Sequence, residues 1–469
     1  MIIVGCGAAA TLLLAELAST ISCPLDIYLI DDNPAAPVGL AYAVNHPAFV
    51  LNVAAKRMGA YVSTPDHFYQ WLLNEPEHWR NLHPEFSEVH FEPDDFVPRM
   101  IYAEYLRKIF ARSIALLEQK NVCVIQLKEQ VIDVLPVANE IDTRVCVSTL
   151  QQKILADVTV FATGNNPARQ IVVAGDGCFS SPYTAEFLHQ DWSSLKDVAV
   201  IGSGLSMIDL VQFISSQGFT GNFHIFSRHG LLPLPHSETH PMAAAPLFDP
   251  DRVGNTAIPV LRALRFYVES NLAAGLEWQE SINKIRPHVS SLWARLPINE
   301  QRRLAKVLPW WNIHRHRIPP KVYANLQKLR EQKRLHITNG CVNAIERING
   351  GFQLRLTQSV AVEKVLPIRA DKVVICSGYA PGFNRVKNLG GNLLAPDDYL
   401  RHSLVESNTT FRISTTHNIF ALGPALSGLL FESTALHETR QQANKIAATV
   451  PDLLHQDMSQ LKPVFHLGS

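Results

Sequence analysis

The sequence predicts an α/β fold built from two dinucleotide-binding (Rossmann-like) domains, with a helical insert in the second. Three observations carry that expectation. A strand–glycine turn–helix unit occurs twice. Residues of opposite charge follow the two turns at the same offset. A strand-and-glycine motif also recurs on either side of the second unit.

The first unit opens the chain. Met1-Ile2-Ile3-Val4 reads as a short buried strand, and Thr11 to Ala18 as a helix. Between them lies Gly5-Cys6-Gly7-Ala8-Ala9-Ala10. In such a turn Gly5 permits the tight bend and Gly7 lets backbone approach a pyrophosphate. The small Ala9 and Ala10 let the helix start close to the strand, with its free N–H groups toward the phosphates. The second unit is strand Asp197 to Ile201, turn Gly202-Ser203-Gly204-Leu205-Ser206-Met207 and helix Ile208 to Ser215.

A residue that reads the ribose is expected at the end of the next strand. After the first turn that strand is Leu25 to Ile30, ending in Asp31-Asp32. After the second it is Asn222 to Phe226, ending in Ser227-Arg228. Asp31 and Arg228 each lie 26 residues past the first glycine of their turn. A carboxylate suits free ribose hydroxyls, and a guanidinium suits a 2′-phosphate. Two nucleotide sites follow; the alternative is one site and one structural turn.

Bulk composition narrows the classes. The chain has 469 residues, enough for two domains, and is 47% hydrophobic and 18% charged with zero formal net charge. Nothing global favours nucleic acid or an anionic membrane. The apolar start lacks a basic flank and is broken by Glu16, so it reads as neither a signal peptide nor a membrane span, and a cytoplasmic location is expected. Seven scattered cysteines without a C-x-x-C pair argue against a dithiol centre and a zinc site.

Between the units, Val38-Gly39-Leu40 lies in a loop expected to pass the first nucleotide turn. Asn52 follows the apolar run Phe49-Val50-Leu51; it reads either as a part-buried amide facing a flavin edge or as an ordinary turn residue. Arg99 starts an amphipathic helix through Leu117, where the helix dipole disfavours a cation, which suggests an anionic partner or plain solvation. Asn121 to Leu127, Gln130 to Leu135 and Thr143 to Ser148 alternate like strands. Ala156-Asp157 leads through a buried strand to Thr163-Gly164, and Ala370-Asp371 leads likewise to Ser377-Gly378, 214 residues later. These are taken as the two crossings between domains.

The stretch from about 236 to 333 reads as the helical insert, with helices over Ile258–Leu272, Trp278–Leu296, Asn299–Leu308 and Lys321–Glu331. Leu261, Leu264, Val268 and Leu272 form one apolar stripe. Trp310 to Arg317 lies between helices; an anion-binding or interdomain role is favoured over metal binding by His314 and His316. At the end, Asn418 to Gly423-Pro424 reads as a strand running into a turn, then a helix from Glu432 to Thr449.

Taken together, these motifs resemble the two-domain flavoproteins, within them the flavin-containing monooxygenases and the bacterial ornithine and lysine N-hydroxylases. Leu51-Asn52-Val53, Phe96-Val97-Pro98-Arg99, Trp311 to Arg317 and Phe431-Glu432 are similar to a bacterial family of FAD/NAD(P)-binding proteins related to them. The resemblance implies FAD on the first turn and NADP on the second, with Asn52, Lys56 and Met58 beside the flavin and Asn52 catalytic. It implies an interdomain motif at Ala162-Thr163-Gly164, and cofactor contacts at Gly39, Arg99, Gly378, Gly423 and Pro424. The implied domains are 1–170 with 375–469 for FAD, and 171–374 for NADP. The implied activity is NADPH-dependent monooxygenation of a small molecule. An NAD(P)H:acceptor reductase and a non-catalytic flavin-binding redox sensor are the alternatives.

Overall fold

The computed structural model describes residues 1–33, 37–137, 143–167, 177–237, 245–359, 362–403 and 410–460. Two five-stranded parallel sheets organise them. The first runs in the order Ile419–Ala421, Thr159–Phe161, Ile2–Val4, Leu25–Asp31, Val122–Lys128. The second runs Leu335–Asn339, Asn222–Ser227, Asp197–Ile201, Lys372–Ile375, Cys178–Phe179. Parallel sheets need both faces covered, and their central strands are accordingly unbroken apolar runs. Ile2, Ile3, Val160, Val198, Val200 and Val374 are all fully buried.

The last strand of the first sheet comes from the C-terminal part of the chain, and the second sheet lies between in sequence. The boundary expected at 170/171 falls outside the described residues; that at 374/375 falls at the end of strand Lys372–Ile375. Each half also carries a three-stranded antiparallel sheet. These comprise Val131–Pro136, Val145–Thr149 and Lys153–Ala156 in one, and Cys341–Ile348, Gly351–Ser359 and Val362–Ala370 in the other. Beyond the two echoing strands, Asn166–Pro167 pairs antiparallel with Tyr379–Ala380, so the crossings lie side by side.

Helices follow the turns at Ala8–Thr20 and Leu205–Ser216. The helix from Arg99 extends to Gln119, and the C-terminal helix spans Leu436–Gln460. That last helix starts four residues later than the apolar pattern predicts, because Glu432 is held by the insert, as described below.

The insert departs most from its pattern. The helix expected over 278–296 is split into Trp278–Ile285 and Val289–Ala294 around a 3₁₀ turn, Arg286–His288. Pro287 has no N–H to donate and clashes with the preceding turn. The segment from Trp310 is itself helical, within Leu308–Arg315, with Pro309 in its first turn. Helix Ala257–Ala273 buries only Ala257, Val260 and Asn271; its expected core stripe is partly exposed, with Leu272 at 47%. Among the described residues no helix is long and apolar enough to cross a membrane.

Candidate nucleotide and flavin site

The two glycine turns are near copies in geometry. Gly5 has φ +99° and donates its N–H to Ile30 O at 2.8 Å; Gly202 has φ +110° and donates to Phe226 O at 2.8 Å. A Cβ on Gly5 would lie 2.5 Å from Ala162 O, and one on Gly202 would lie 2.1 Å from Cys376 O. Each turn is thus pressed between its own second strand and the end of a crossing strand. Ala162 N–H returns a bond to Val4 O, and Cys376 N–H one to Ile201 O. Only glycine meets both demands, positive φ and backbone contact. Gly7 and Gly204 are the extended residues that start the helices, and no side chain caps either helix. Their first N–H groups remain available to an anion.

The first turn is enclosed further. Gly39 crosses it so closely that a Cβ on Gly7 would be 3.3 Å from Gly39 Cα. Gly423 lies on the other side, where its Cβ would meet Ala9 Cβ at 3.5 Å, and its N–H is taken by Gln442 Oε1. Pro424 leads the short 3₁₀ turn Gly423–Leu426, whose carbonyl at Pro424 abuts Gly382. Ala10 is fully buried against the strand. Thr163 has a buried hydroxyl without a hydrogen-bond partner among the described residues, and Gly164 has φ +66° with open space beside its Cα.

Asp31 accepts from Cys6 N–H at 2.7 Å and from Asn33 N–H at 2.8 Å. It therefore braces the turn. Asp32 is held above the usual carboxylate range, chiefly by its hydrogen bond with Asp31. Burial, with Asp31 adding to it, pushes the Cys6 thiol up to about 12, so it is no thiolate nucleophile.

In the second half Ser227 spends its hydroxyl accepting Gly230 N–H at 3.0 Å. Arg228 is exposed and forms no hydrogen bond or ion pair among the described residues. Two residues on, a cleft of about 500 Å³ opens between Gly230, Leu231, Leu232, Ile313, Tyr323 and Asn339. Gly378, φ +89°, is exposed with free space around it. Ser206 lies 3.4 Å from the Tyr183 hydroxyl.

Three sequence-derived candidates have other roles. Arg99 is not free for a phosphate. Its guanidinium forms a two-pronged bond with Asp209, at 2.8 and 2.9 Å, and Nε donates to Val50 O. The anionic partner inferred for it is therefore a carboxylate of the second half, to which the Tyr183 hydroxyl also donates at 2.7 Å. Met58 is 2% exposed inside the first core, a packing residue rather than a cofactor contact. Lys56 reaches outward to Asp94. Asn52 is half-buried. His236 Nε2 donates to its carbonyl at 2.9 Å, while its side-chain amide has no hydrogen-bond partner among the described residues.

Sequence reading gave Trp310 to Arg317 an anion-binding or interdomain role but missed the carboxylates that tie the halves together. Asp209, in an otherwise apolar buried helix, was the readable signal for one of them. Another tie is centred on Glu432. It accepts from Trp311 Nε1 at 3.1 Å, pairs with Arg315 at 2.8 Å and Arg286 at 3.1 Å, and Arg286 also reaches Glu438 at 2.8 Å. His314 Nδ1 lies 2.7 Å from Trp310 O. Among the described residues there is no cluster of three or more His, Cys, Asp or Glu suited to a metal ion.

Residues 2–166 match a family model described as FAD-NAD(P)-binding. No curated protein matches the chain significantly. Solved structures match it over nearly its full length. The ornithine hydroxylase of Pseudomonas aeruginosa is 15% identical, covers 97% of this chain and 98% of its own, and superposes with a TM-score of 0.62. The ornithine N-hydroxylase of Kutzneria sp. 744, solved with reduced FAD, NADP+ and L-ornithine, is 18% identical, covers 97% and 99%, and scores 0.59. The bacillithiol disulfide reductase of Staphylococcus aureus is 13% identical, covers 98% of both chains, and scores 0.53. The chain thus has the two-domain fold shared by these flavoprotein hydroxylases and reductases, with an FAD-NAD(P)-binding match over residues 2–166.

Proposed function

We propose that the protein is an FAD-dependent, NADPH-using flavin monooxygenase acting on a small molecule. The observation that carries the reading is the pair of matched glycine turns with opposite tips, Asp31 and Arg228, in one fold. The residues fit FAD on the first turn. Gly5, Gly7 and Gly39 make a surface no side chain could share, the Ala8–Thr20 helix offers N–H groups at Ala9 and Ala10, and Thr163 has a hydroxyl in want of a partner. Asp31 and Asp32 face the ribose, and Gly164, Gly423 and Pro424 close the far side. NADPH lies on Gly202, Gly204 and Ser206, with Gly378 alongside. Ser227 and Arg228 would hold its 2′-phosphate.

Bound flavin supplies hydride acceptance and oxygen activation. The chain contributes placement. The Asn52 amide presents a donor and an acceptor to the flavin edge, while His236 fixes the backbone beneath it. The domains proposed are 1–170 with 375–469 for FAD, and 171–374 for NADP.

The test is anaerobic reduction by NADPH of protein reconstituted with FAD, then oxygen in the presence of candidate amines. Oxygen uptake matched by hydroxylated product supports the reading. Failure to bind FAD or to be reduced refutes it, and quantitative peroxide with every amine favours a reductase. Asn52→Ala should keep FAD and NADPH binding and lose at least about tenfold in coupled turnover, the size of one lost hydrogen bond in the transition state.

A further inference from the structure

The insert delivers one buried cation, Arg317, close enough for its charge to act on His236, whose ring bonds the Asn52 carbonyl. Ile318 N–H donates to Leu234 O at 3.0 Å, and His236 N–H donates to Ile318 O at 2.9 Å, a parallel bridge about Pro235 and Ile318. This short pairing lays the segment carrying Arg317 against the segment carrying His236. Ile318 points into the second core and is 1% exposed. Alternation then sends Arg317 to the opposite side.

Arg317 is 7% exposed. Nη2 donates to Asn283 Oδ1 at 2.6 Å, Nε is buried without a partner, and no carboxylate among the described residues forms an ion pair with it. Burial, then Arg286 and Arg57, bring its pKa down to about 10, and Glu280 offsets only part of this. Arg286 is satisfied by Glu432 and Glu438. Arg57 sits five residues after Asn52, is exposed, and has no ion-pair partner among the described residues. His236 lies between, feels the charges of both Arg317 and Arg57, and packs its ring 5.0 Å from Phe96. Trp278 forms a second apolar wall, 5.9 Å from the guanidinium. A buried guanidinium without a counter-ion is destabilising, and an anion bound beside it would offset that cost.

We propose that Arg317, with Arg57, binds a carboxylate of the substrate near Asn52, so that the molecule oxidised is a small carboxylic acid. His236, neutral and donating to the Asn52 carbonyl, positions the backbone there and does not bind the anion. A singly charged carboxylate balances the one uncompensated buried charge better than a phosphate dianion. The assignment rests on the reading of Asn52 as the flavin-facing residue.

The test titrates the FAD-loaded protein with succinate, succinamide and inorganic phosphate at fixed ionic strength, read by flavin absorbance change and by Tm. Succinate should saturate both signals and succinamide neither. Arg317→Gln, which keeps a donor for Asn283, should weaken succinate roughly tenfold or more, with Arg317→Lys in between. Its ligand-free Tm should equal or exceed that of the wild type, because an unpaired buried charge is gone. Equal response to succinate and succinamide, undiminished succinate binding by Arg317→Gln, a response to phosphate alone, or a lower ligand-free Tm would each overturn the assignment. The Tm arm reads the anion site even if the protein takes up no flavin, so failure of the flavin reading is told apart from failure of this one.

Discussion

Removing Asp209 should loosen the junction between the two sheets by a calculable amount. The Arg99–Asp209 pair is two-pronged, and its side chains are only 12% and 8% exposed. Asp209→Ala leaves the Arg99 guanidinium buried without a counter-charge and deprives the Tyr183 hydroxyl of its acceptor. Breaking a buried pair from one side costs about 3–5 kcal/mol. At about 2–4 °C per kcal/mol for domains of this size, the expected fall in Tm is roughly 6–20 °C. The double replacement Arg99→Met with Asp209→Leu removes both charges and fills the space, and should recover part of that loss. It still forgoes the bonds from Arg99 to Val50 O and Ala41 O and from the Tyr183 hydroxyl to Asp209, each worth about 1 kcal/mol. Thermal melts of the four proteins, with urea unfolding as a check, supply a double-mutant cycle. A single-variant loss below about 2 °C, or a double variant as unstable as the two singles added together, would show that the pair is not a buried latch.

Further outcomes follow from other contacts. Arg228→Ala should reduce a preference for NADPH over NADH of roughly 10- to 150-fold to near unity, seen as convergence of the two Kd values; equal affinities in the wild type would remove the role given to Arg228. Gly202→Ala should abolish NADPH binding yet leave flavin content unchanged, and Gly5→Ala should abolish flavin retention, because each new methyl would overlap a carbonyl; spectra of the purified variants decide it. Burial, aided by Arg317 and Arg57, depresses His236 from 6.5 to about 4. The unfolded chain then binds a proton that the folded chain refuses. Stability is full above about pH 6.5 and falls as the pH drops toward 4, by up to about 3 kcal/mol, and His236→Gln should flatten that part of the urea-derived stability profile.

The parallel sheets were legible because their strands are short apolar runs bounded by glycine, and because the motif recurs. Ala156-Asp157 and Ala370-Asp371 look alike in sequence for a physical reason: both precede strands whose ends press on a glycine turn. The Trp278–Leu296 helix was overextended because apolar periodicity continues through Pro287, whereas the backbone cannot. The stripe on Ala257–Ala273 has the right spacing but insufficient partner surface, and periodicity carries no information about what lies opposite. Helix position left Arg99 open between an anionic partner and plain solvation, because the partner, 110 residues away, is set by tertiary structure alone. For Met58, motif likeness pointed to a cofactor while its burial places it in the core. Arg317 stood out only as part of a basic run; its isolation from carboxylates is visible only once the chain is folded.

The Glu432 contacts bear on how the halves can turn against each other. Glu432 and Glu438 follow the last strand of the first sheet, whereas Arg286, Trp311 and Arg315 belong to the insert of the second half. The insert is therefore continuous in chain with one half and riveted to the other. If the nucleotide sheet swivels between reduction and oxidation, it cannot carry the insert along without tearing a guanidinium from a carboxylate that is 4% exposed. The buried Arg99–Asp209 pair would have to part in the same motion, so both latches oppose the turn.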